Sequence, residues 1–482
     1  MNPSRTRLNR WVLCRSLAAA CALFGALAGA VPAPAQCNPN ELQKILASDG
    51  AMSDYFGASV AISGDTAVVG SYQDDHAGGA DAGSAYVFVR CGGIWTQQAK
   101  LTASDAAADD RFGHSVAVLG DTILIGAYQD DTASGSNAGS AYVFIRTGGV
   151  WTQQAKLTAS DAAAQDFFGF PVALSGDTAL IGAYLDDDGG TSSGSAYVFV
   201  RTGVAWTQQA KLTASDAAEG DAFGVSVSLS DDTAVVGAYG DDDAGSASGS
   251  AYVFTRTGVV WTQQAKLTAS DPEGNASFGY AAAVSGDTTV IGAYQHNKGP
   301  GEPDAGSAYV FVRSGGIWTQ QAQLIASDAA GYDQFGFSAA LSGNIAVIGA
   351  HTDDHVAGID AGSAYVFTRA GDVWSQQAKL TASDAAANDY FGVSVSLSNE
   401  MAVIGAYGND DAGGASGSAY LIDLDCGGDS DGDGVLDIYD DCPNTAANLA
   451  VDCYGRPLRD CSGDCLVNGL DVQCIVDEML NQ

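Results

Sequence analysis

Acidic residues alternate with small residues in one short segment near the C-terminus, "DSDGDGVLDIYDDCPNT" at 429–445. Oxygen ligands at alternate positions can surround one calcium ion, with glycine at position 6 for the sharp turn and a main-chain carbonyl at position 7. Gly434 stands at position 6, and positions 1, 3, 5, 7, 9 and 12 are Asp429, Asp431, Asp433, Val435, Asp437 and Asp440. The spacing predicts a calcium site; the alternative is a solvated acidic linker.

A second arc of the same kind follows at 460–480, "DCSGDCLVNGLDVQCIVDEML". Its oxygen ligands at positions 1, 3, 5, 9 and 12 are Asp460, Ser462, Asp464, Asn468 and Asp471. Cys465 takes the place of the usual glycine, and the residues after the arc have the spacing of an amphipathic helix. Because so short and polar a tail cannot bury a core, we expect calcium and disulfides to hold it together.

Aspartate also recurs in pairs or triplets along the rest of the chain. These residues are Asp74, Asp75, Asp130, Asp131, Asp186, Asp187, Asp188, Asp241, Asp242, Asp243, Asp353, Asp354, Asp410 and Asp411. The corresponding segment at 295–304, "QHNKGPGEPD", breaks the pattern. Three interpretations stay open: turn formation and solubility, ligation of cations or of a cation-bridged partner, and recognition of a basic or polysaccharide surface.

Catalytic chemistry has little support in this sequence. The five histidines form no repeated or paired motif, and we interpret them as incidental loop residues: His76, His114, His296, His351 and His355. Carboxylates are so numerous that a pair at glycosidase distance carries no information. Nearly identical repeats also argue against one specialised pocket. We therefore predict that the protein is not an enzyme.

Charge and the N-terminus favour a protein that is exported. Arginines within residues 5–15, an apolar run at 16–31 and the sequence Ala33-Pro34-Ala35 are typical of a signal peptide over residues 1–35. The apolar run is too short for a membrane span. Removal of this segment leaves 16 basic against 57 acidic residues, a formal charge of −41 with histidine neutral. Such a chain repels nucleic acid and anionic membranes, so we expect a secreted or cell-surface monomer that binds neither.

A Phe-Gly pair recurs seven times at intervals of 55–57 residues, with phenylalanine at 56, 112, 168, 223, 278, 335 and 391. Each repeat contains four strand patterns, which in the first copy are "ASVAIS", "TAVVGSY", "SAYVFVR" and "WTQQAKLTAS". The second is a continuous apolar run, typical of a strand that is covered on both faces, and the others alternate. Seven units of four strands predict an all-β fold, a seven-bladed β-propeller.

The fourth strand of the last repeat is found at the N-terminus. The seventh repeat stops at "GSAYLIDLD" (417–425), whereas "LQKILAS" at 42–48 aligns with the fourth strands. This segment is predicted to complete blade seven and close the ring. Cys37 and Cys426 then lie at one hairpin position, which predicts a disulfide between them in an oxidising compartment; the alternative partner of Cys37 is Cys91.

Antiparallel strands decide on which side each loop lies. The second-to-third loops, which carry the aspartates, share one face with the blade-to-blade loops, and the hairpin turns share the other. An arginine ends the third strand in six repeats and predicts a mildly basic hairpin side: Arg90, Arg146, Arg201, Arg256, Arg313 and Arg369. A lysine recurs in the fourth strand, and we interpret it as protection of an exposed edge against aggregation: Lys44, Lys100, Lys156, Lys211, Lys266 and Lys379.

The repeat "FG.SVA…GDTAVVGAY…GSAYVF" resembles the FG-GAP repeat of the integrin α-subunit propeller and of many bacterial surface proteins. The resemblance covers 42–425 and implies a propeller that acts in adhesion or recognition. Some integrin blades carry a calcium loop between their first two strands. Here that connection is only "SGDT" or similar, which is too short to surround a cation, so the resemblance does not imply calcium in the blades.

The tail resembles two further modules. Residues 426–458 are similar to a thrombospondin type 3 repeat, including its "D-x-x-D-D-C-P" ending. Residues 459–482 resemble one half of a dockerin, the module that binds cohesins, whereas a dockerin normally has two halves. This end is therefore either a dockerin with a cohesin-like partner or a degenerate calcium-binding cap or anchor.

The sequence thus predicts a signal peptide (1–35), a propeller (36–425), a thrombospondin-like segment (426–458) and a dockerin-like half EF-hand (459–482). The expected function is adhesion or recognition of an extracellular protein or polysaccharide, with a calcium-stabilised tail for attachment. The alternative is an exported polysaccharide-binding or polysaccharide-degrading protein attached through the tail. A structural spacer of an extracellular matrix is a third hypothesis.

Overall fold

A computed structural model of the chain describes residues 37, 39–299 and 301–425. Regular structure in these residues consists of strands and turns, without a helix. Within these ranges there is accordingly no helix that could span a membrane. The predicted signal peptide (1–35) and tail (426–482) lie outside the described residues.

The described residues form 28 strands. In chain order they are β1 (Asn40–Ile45), β2 (Ser59–Ser63), β3 (Thr66–Ser71), β4 (Ser84–Cys91), β5 (Ile94–Leu101), β6 (Ser115–Leu119), β7 (Thr122–Ala127), β8 (Ser140–Thr147), β9 (Val150–Leu157), β10 (Val172–Ser175), β11 (Thr178–Ala183), β12 (Ser195–Thr202), β13 (Ala205–Leu212), β14 (Phe223–Ser230), β15 (Thr233–Ala238), β16 (Ser250–Thr257), β17 (Val260–Leu267), β18 (Ala281–Ser285), β19 (Thr288–Ala293), β20 (Ser307–Ser314), β21 (Ile317–Leu324), β22 (Ser338–Ser342), β23 (Ile345–Ala350), β24 (Ser363–Ala370), β25 (Val373–Leu380), β26 (Ser394–Ser398), β27 (Met401–Ala406) and β28 (Ser418–Asp423).

These strands form seven four-stranded antiparallel sheets, so the predicted seven-bladed propeller is confirmed. Blade one has the order β2-β3-β4-β5, and blades two to six repeat it with β6–β9, β10–β13, β14–β17, β18–β21 and β22–β25. We call the four positions inner, second, third and outer. The inner strands line a central channel, along which lie residues such as Val60, Val116 and Val172.

Blade seven is closed by the N-terminus, as the sequence predicts. Its order is β1-β28-β27-β26, and β1 pairs antiparallel with β28, with Asn40 opposite Asp423 and Ile45 opposite Ala419. The strand lies slightly N-terminal to the predicted 42–48. After Ile45 the chain turns toward blade one, where the Ser48 amide donates to Gln97 at 3.1 Å.

The hydrophobic core lies between neighbouring blades rather than within one blade. One cluster joins blades seven and one, and it packs Ile45 and Leu421 against Phe56 and Trp95. Six comparable clusters join the other neighbouring pairs. Each blade therefore buries its apolar surface only when both neighbours are present.

The Phe-Gly pair has a packing role that explains its recurrence. Phe56 is fully buried, and its ring packs edge-on against Tyr86 and Phe88 at centroid distances of 5.5 and 6.1 Å. Gly57 has a φ of 93°, and a Cβ there would lie 2.2 Å from the carbonyl oxygen of Ser418. Both the backbone conformation and the available space therefore require glycine.

The described cysteines exclude one of the two predicted pairings of Cys37. Cys91 is exposed and free, so the Cys37–Cys91 alternative is wrong. Cys37 is buried and disulfide-bonded, and it packs with residues of blade seven such as Ile422 and Leu424. Cys426 lies outside the described residues, so the Cys37–Cys426 bond stays a prediction.

We expect mass spectrometry of the unreduced, digested protein to find the Cys37 peptide linked to the peptide that contains Cys426. The physical reason is position, since β1 and β28 are paired with Asn40 opposite Asp423, next to the two cysteines. Cys91 should be alkylated before reduction, which provides an internal control. A link from Cys37 to any other cysteine would contradict the pairing.

Candidate ligand-binding site

A lysine on the outer strand links the loops on one side of the propeller. We call this side the loop face; it consists of the second-to-third loops and the blade-to-blade loops. In blade one, Lys100 Nζ lies 2.8 Å from Asp74 and 2.7 Å from Asp49. The buried Tyr86 hydroxyl contacts the same two carboxylates at 3.2 and 2.8 Å, and Ser84 donates to Asp74 at 2.6 Å. These charge-assisted hydrogen bonds fix both loops to the blade.

The network recurs around the ring. The corresponding contacts are Lys156 with Asp105 and Asp130, Lys211 with Asp161 and Asp186, Lys266 with Asp216 and Asp241, and Lys379 with Asp328 and Asp353. In blade seven Lys44 contacts Asp384 and Asp411, and Asn409 takes the buried position. Edge protection is therefore an incomplete explanation of the lysines, because each also compensates the charge of a loop.

The predicted acidic face needs correction at five positions. The first aspartate of each group is only 2–4% exposed and is paired with lysine: Asp74, Asp130, Asp186, Asp241 and Asp353. The following aspartate is exposed and closes its own loop; Asp75, for example, accepts a hydrogen bond from the Asp81 amide at 2.7 Å. The same contact is made by Asp131, Asp187, Asp354 and Asp410. These contacts support the turn-forming interpretation.

Two groups contain a third carboxylate and have the spacing of a cation site. Carboxylate oxygens lie within 4.8 Å of one another in two triads, Asp161 with Asp186 and Asp188, and Asp216 with Asp241 and Asp243. In each triad a lysine ammonium already contacts all three side chains, Lys211 in one and Lys266 in the other. The protein's own cation thus occupies the place that a metal ion would need.

Blade five replaces the charged groups together. Gln323 stands for the lysine and His296 for the buried aspartate. Gln323 donates to Asp271 at 3.2 Å and to the Tyr309 hydroxyl at 3.1 Å, while His296 Nδ1 lies 3.1 Å from the Ser307 hydroxyl. Because the lysine and the buried aspartate are both replaced, no buried charge is left unpaired. The divergent segment at 295–304 therefore includes a charge-matched replacement.

The hairpin side is not basic in the way that the arginines suggested. Arg90 Nε lies 2.7 Å from Asp65 of the neighbouring turn, and its guanidinium lies over the Trp95 ring. Four further pairs are Arg146 with Asp121, Arg201 with Asp177, Arg256 with Asp232, and Arg313 with Asp287. Arg369 donates to Asn344 instead. Most of these charges are compensated locally, because the two hairpin turns of a blade meet on the same side.

An aromatic cup lies where the central channel opens on the loop face. This cavity of about 270 Å³ is lined by side chains from all seven blades. Each blade provides the residue after its Phe-Gly pair, and two tyrosines complete the lining: Ala58, His114, Phe170, Val225, Tyr280, Phe337, Val393, Tyr72 and Tyr407. Tyr72 and Tyr407 follow β3 and β27 and so begin second-to-third loops.

Contacts between rings surround the cup almost completely. Consecutive ring centroids lie 3.9–6.0 Å apart along Tyr239, Tyr280, Phe337, His351, Tyr390, Tyr407, Tyr55, Tyr72, His114, Phe170 and Tyr184. The series is interrupted between Tyr184 and Tyr239, because blade four carries Ala222 and Val225 where blade three carries Phe167 and Phe170. Aromatic pairs at these distances attract and hold one another, so the wall of the cup is preorganised.

The cup is not seven-fold symmetric. His114 and Phe170, 4.5 Å apart, form an aromatic wall on blades two and three, and Tyr280 and Phe337, 5.0 Å apart, form another on blades five and six. The other three positions carry small side chains, Ala58, Val225 and Val393. Because the blades follow one another around the ring, the two walls face each other across the axis.

Its lining is uncharged at neutral pH. Burial lowers the pKa of His114 and of His351 to about 4, so both imidazoles are neutral. Burial also raises the pKa of Tyr407 to about 12, and that of Tyr72 and Tyr280 still further. Over the physiological range the cup therefore has one protonation state.

Two buried polar atoms beside the cup have no hydrogen-bond partner within the described residues, His351 Nδ1 and Arg111 Nη1. His351 is 8% exposed and packs behind Phe337 at 3.9 Å. Arg111 uses its other nitrogens, on Gln129 at 3.1 Å and on Asp81 at 3.1 Å. An unpaired buried polar group costs about 1–3 kcal/mol of stability.

Comparison with known families explains the repeat. A family model described as the FG-GAP repeat matches residues 39–88, 95–144, 151–199, 206–254, 261–311, 318–367 and 374–422, more than half of the chain. The chain belongs to the FG-GAP repeat family. Each match begins at the outer strand of one blade and ends at the third strand of the next blade. The first match accordingly begins with β1, the outer strand of blade seven, and ends in blade one. A comparison with curated proteins finds no match.

The cup was not predicted from the sequence, although these FG-GAP repeats contain a signal for it. The residue after Phe-Gly is Ala, His, Phe, Val, Tyr, Phe and Val in successive copies, whereas the strands around it are nearly repeated. His114 and His351 were interpreted as incidental loop residues, but both belong to the aromatic ring system of the cup. His76 and His355 do act within loops, each ring nitrogen contacting a loop carbonyl.

The predicted calcium ligands of the tail lie outside the described residues. They are the residues from Asp429 to Asp440 and from Asp460 to Asp471. Calcium binding by this FG-GAP protein therefore stays a prediction.

A second set of buried carboxyls gives the FG-GAP propeller a pH-dependent stability. Burial raises the pKa of Asp54, Asp110, Asp166 and Asp333 to about 6, although a loop amide donates to each carboxylate. Asp49 behaves oppositely: burial raises its pKa, but hydrogen bonds from Lys100 and Tyr86 outweigh this effect and leave the pKa low.

We expect the melting temperature to fall between pH 4 and pH 7. Asp54, Asp110, Asp166 and Asp333 have folded pKa values above the unfolded value, so the stabilisation they give is complete below pH 4 and is lost as the pH rises through about 6. Carboxyls such as Asp49, whose folded pKa is lowered, stabilise the fold above pH 4. Their stabilisation is lost as the pH falls below that value. Circular dichroism melts between pH 3 and 8 measure both limbs. Asp110→Asn, which keeps a hydrogen-bond acceptor, should flatten the upper limb; an unchanged slope would contradict the assignment.

Proposed function

We propose that this FG-GAP protein is a non-catalytic recognition protein of the cell exterior that holds an extracellular protein or glycan in the aromatic cup. The observation that carries the proposal is the preorganised aromatic lining of a cavity to which all seven blades contribute. Concave, mainly apolar sites with a few polar groups are the usual form of ligand pockets. An FG-GAP propeller is also a fold compatible with protein recognition.

The chemistry of the lining supports binding rather than catalysis. The lining side chains are aromatic, aliphatic or imidazole, and none of them is a carboxylate. A histidine with a pKa of about 4, such as His114, is a poor general base at neutral pH. The alternative of a polysaccharide-degrading enzyme gains no support from this arrangement, whereas polysaccharide binding stays within the proposal.

Export and attachment rest on the sequence. We propose that residues 1–35 direct secretion and that the calcium motifs of residues 426–482 attach the propeller to a surface or to a cohesin-like partner. The spacing of aspartates in the tail supports this role, since it suits calcium.

Arrays of glycans and of extracellular proteins, probed with the full mature protein, test the proposed function. We expect binding that the double variant Tyr280→Ala, Phe337→Ala weakens about 100-fold, because aromatic anchors supply most of the energy of such sites. Tyr332→Ala is the matched control, since Tyr332 is a 62% exposed tyrosine of the loop face that does not line the cup. Equal binding by the double variant would refute the proposal.

We expect calcium to bind to the tail and not to the propeller. In the propeller, lysine ammonium groups occupy both acidic triads. Calorimetric titration should find about two ions in the mature protein, one for each arc, and none in a protein that ends after Cys426 and so keeps the predicted disulfide. Several ions bound by the shorter protein would restore the acidic loop face as a cation site.

A further inference from the structure

We propose that the group bound in the cup is one neutral sugar residue at the end of a glycan chain, held between the two aromatic walls. This inference rests on the proposed function and names its ligand class. It draws on three properties of the cup: its size, the opposition of its walls and its neutrality.

Size and enclosure favour a single ring at a chain end. At about 270 Å³ the cavity is below the range of about 300–1,000 Å³ that is usual for drug-sized ligands. Side chains from every blade enclose it, so a polymer that crossed it would have to pass over this wall twice. A terminal residue can instead enter along the propeller axis, above the channel that the inner strands line.

The opposed walls suit a ring with two apolar faces. A pyranose presents C–H groups on its faces and hydroxyl groups at its edge. Tyr280 and Phe337 on one side of the axis, and His114 and Phe170 on the other, offer aromatic surface to both faces. Val225 closes one end of the slot with an apolar side chain.

Hydroxyl groups of the lining suit the edge of the same ring. Tyr72, Tyr280 and Tyr407 bring phenol groups to the cup. Sugar hydroxyls both donate and accept hydrogen bonds, so they can pair with these groups.

Charge favours a neutral sugar over a basic side chain or an acidic sugar. Aromatic faces attract cations, but the guanidinium of Arg111 already lies beside the cup. An acidic sugar would meet the field of a strongly anionic protein, whose sequence carries 57 acidic residues against 20 basic ones.

Saturation-transfer NMR on the full mature protein tests the inference, with neutral oligosaccharides of glucose, galactose, mannose and xylose as probes. We expect at least one to bind with Kd at or below about 1 mM and to receive most saturation at its terminal residue. Ala58→Trp, which fills the slot from a small position, should weaken binding at least about 100-fold, and Tyr332→Ala should leave it unchanged. If Phe337→Ala folds poorly, Ala58→Trp still tests the slot, because it adds volume in an open cavity.

Other outcomes separate this inference from the proposed function. If a lysine- or arginine-rich peptide or a uronic-acid oligosaccharide binds, neutral sugars do not, and Ala58→Trp abolishes that binding, the cup is a binding site and the neutral-sugar inference is overturned. Equal saturation of internal residues would overturn the chain-end assignment. If Ala58→Trp changes the binding of every ligand found by less than about two-fold, both the inference and the proposed function fail.

Discussion

A mature chain that begins at Ala47, and therefore lacks β1, is expected to lose the cooperative fold of the propeller. Ile45 is 3% exposed and belongs to the core between blades seven and one. Gln43 also exchanges two hydrogen bonds of 2.9 Å with the main chain of Trp95. Burial of one large aliphatic side chain and several hydrogen bonds together contribute at least about 5 kcal/mol, comparable with the whole stability of many domains.

Thermal unfolding, followed by circular dichroism and calorimetry, measures this loss. The control is a permuted protein in which residues 38–48 follow Asp425 through a hairpin turn copied from blade six, Gly371-Asp372. There β1 would join β28 as the other outer strands join their third strands, so the melting temperature should return. If the truncated protein melts like the full protein, closure by β1 contributes little to stability.

Replacement of the central ammonium of an acidic triad is expected to destabilise the propeller and to create a calcium site. Lys211→Met leaves Asp186, whose side chain is 5% exposed, beside Asp161 and Asp188 without a cation. We expect a loss of about 3 kcal/mol, because the buried carboxylate becomes unpaired while the other two reach solvent. Calcium at millimolar concentration should restore part of the stability, since the three carboxylates are close enough to share one ion.

Two comparisons within the chain sharpen this test. Lys156→Met should cost similar stability but gain little from calcium, because blade two has Thr132 where blade three has its third carboxylate. The double change Lys211→Gln, Asp186→His copies the pair found in blade five and should cost much less than Lys211→Met alone. Denaturant unfolding with and without calcium gives the values. Equal losses in the single and double variants would contradict the charge-matching explanation.

Much of the fold followed from the sequence because its signals are local. Strand type and number were readable from alternation and from continuous apolar runs such as "TAVVGSY". Closure followed from the displaced outer strand at the N-terminus. The predicted ends of β1 were less accurate. The Ser48 amide donates to Gln97 of the next blade, and no local sequence pattern shows this contact.

The candidate site was harder to predict because its parts come from distant residues. The sequence pattern predicts an acidic surface that includes Asp74, yet the Asp74 side chain is buried and pairs with Lys100 from the outer strand of the same blade. The arginines predict a basic surface for the same reason: Arg90 in β4 and its partner Asp65 in the turn between β2 and β3 are distant in sequence. Composition gives the number of charges, whereas only the fold decides which of them neutralise one another.

The sequence by itself determined the seven repeats, the four strands of each and the way in which the ring closes, because hydrophobic periodicity is a property of neighbouring residues. Only the tertiary structure decided that the loop carboxylates enclose lysine and that an aromatic cup exists. The cup residues run from Ala58 to Val393, one after each Phe-Gly pair, and nothing in a linear repeat shows that they meet. They come together because seven inner strands share one axis.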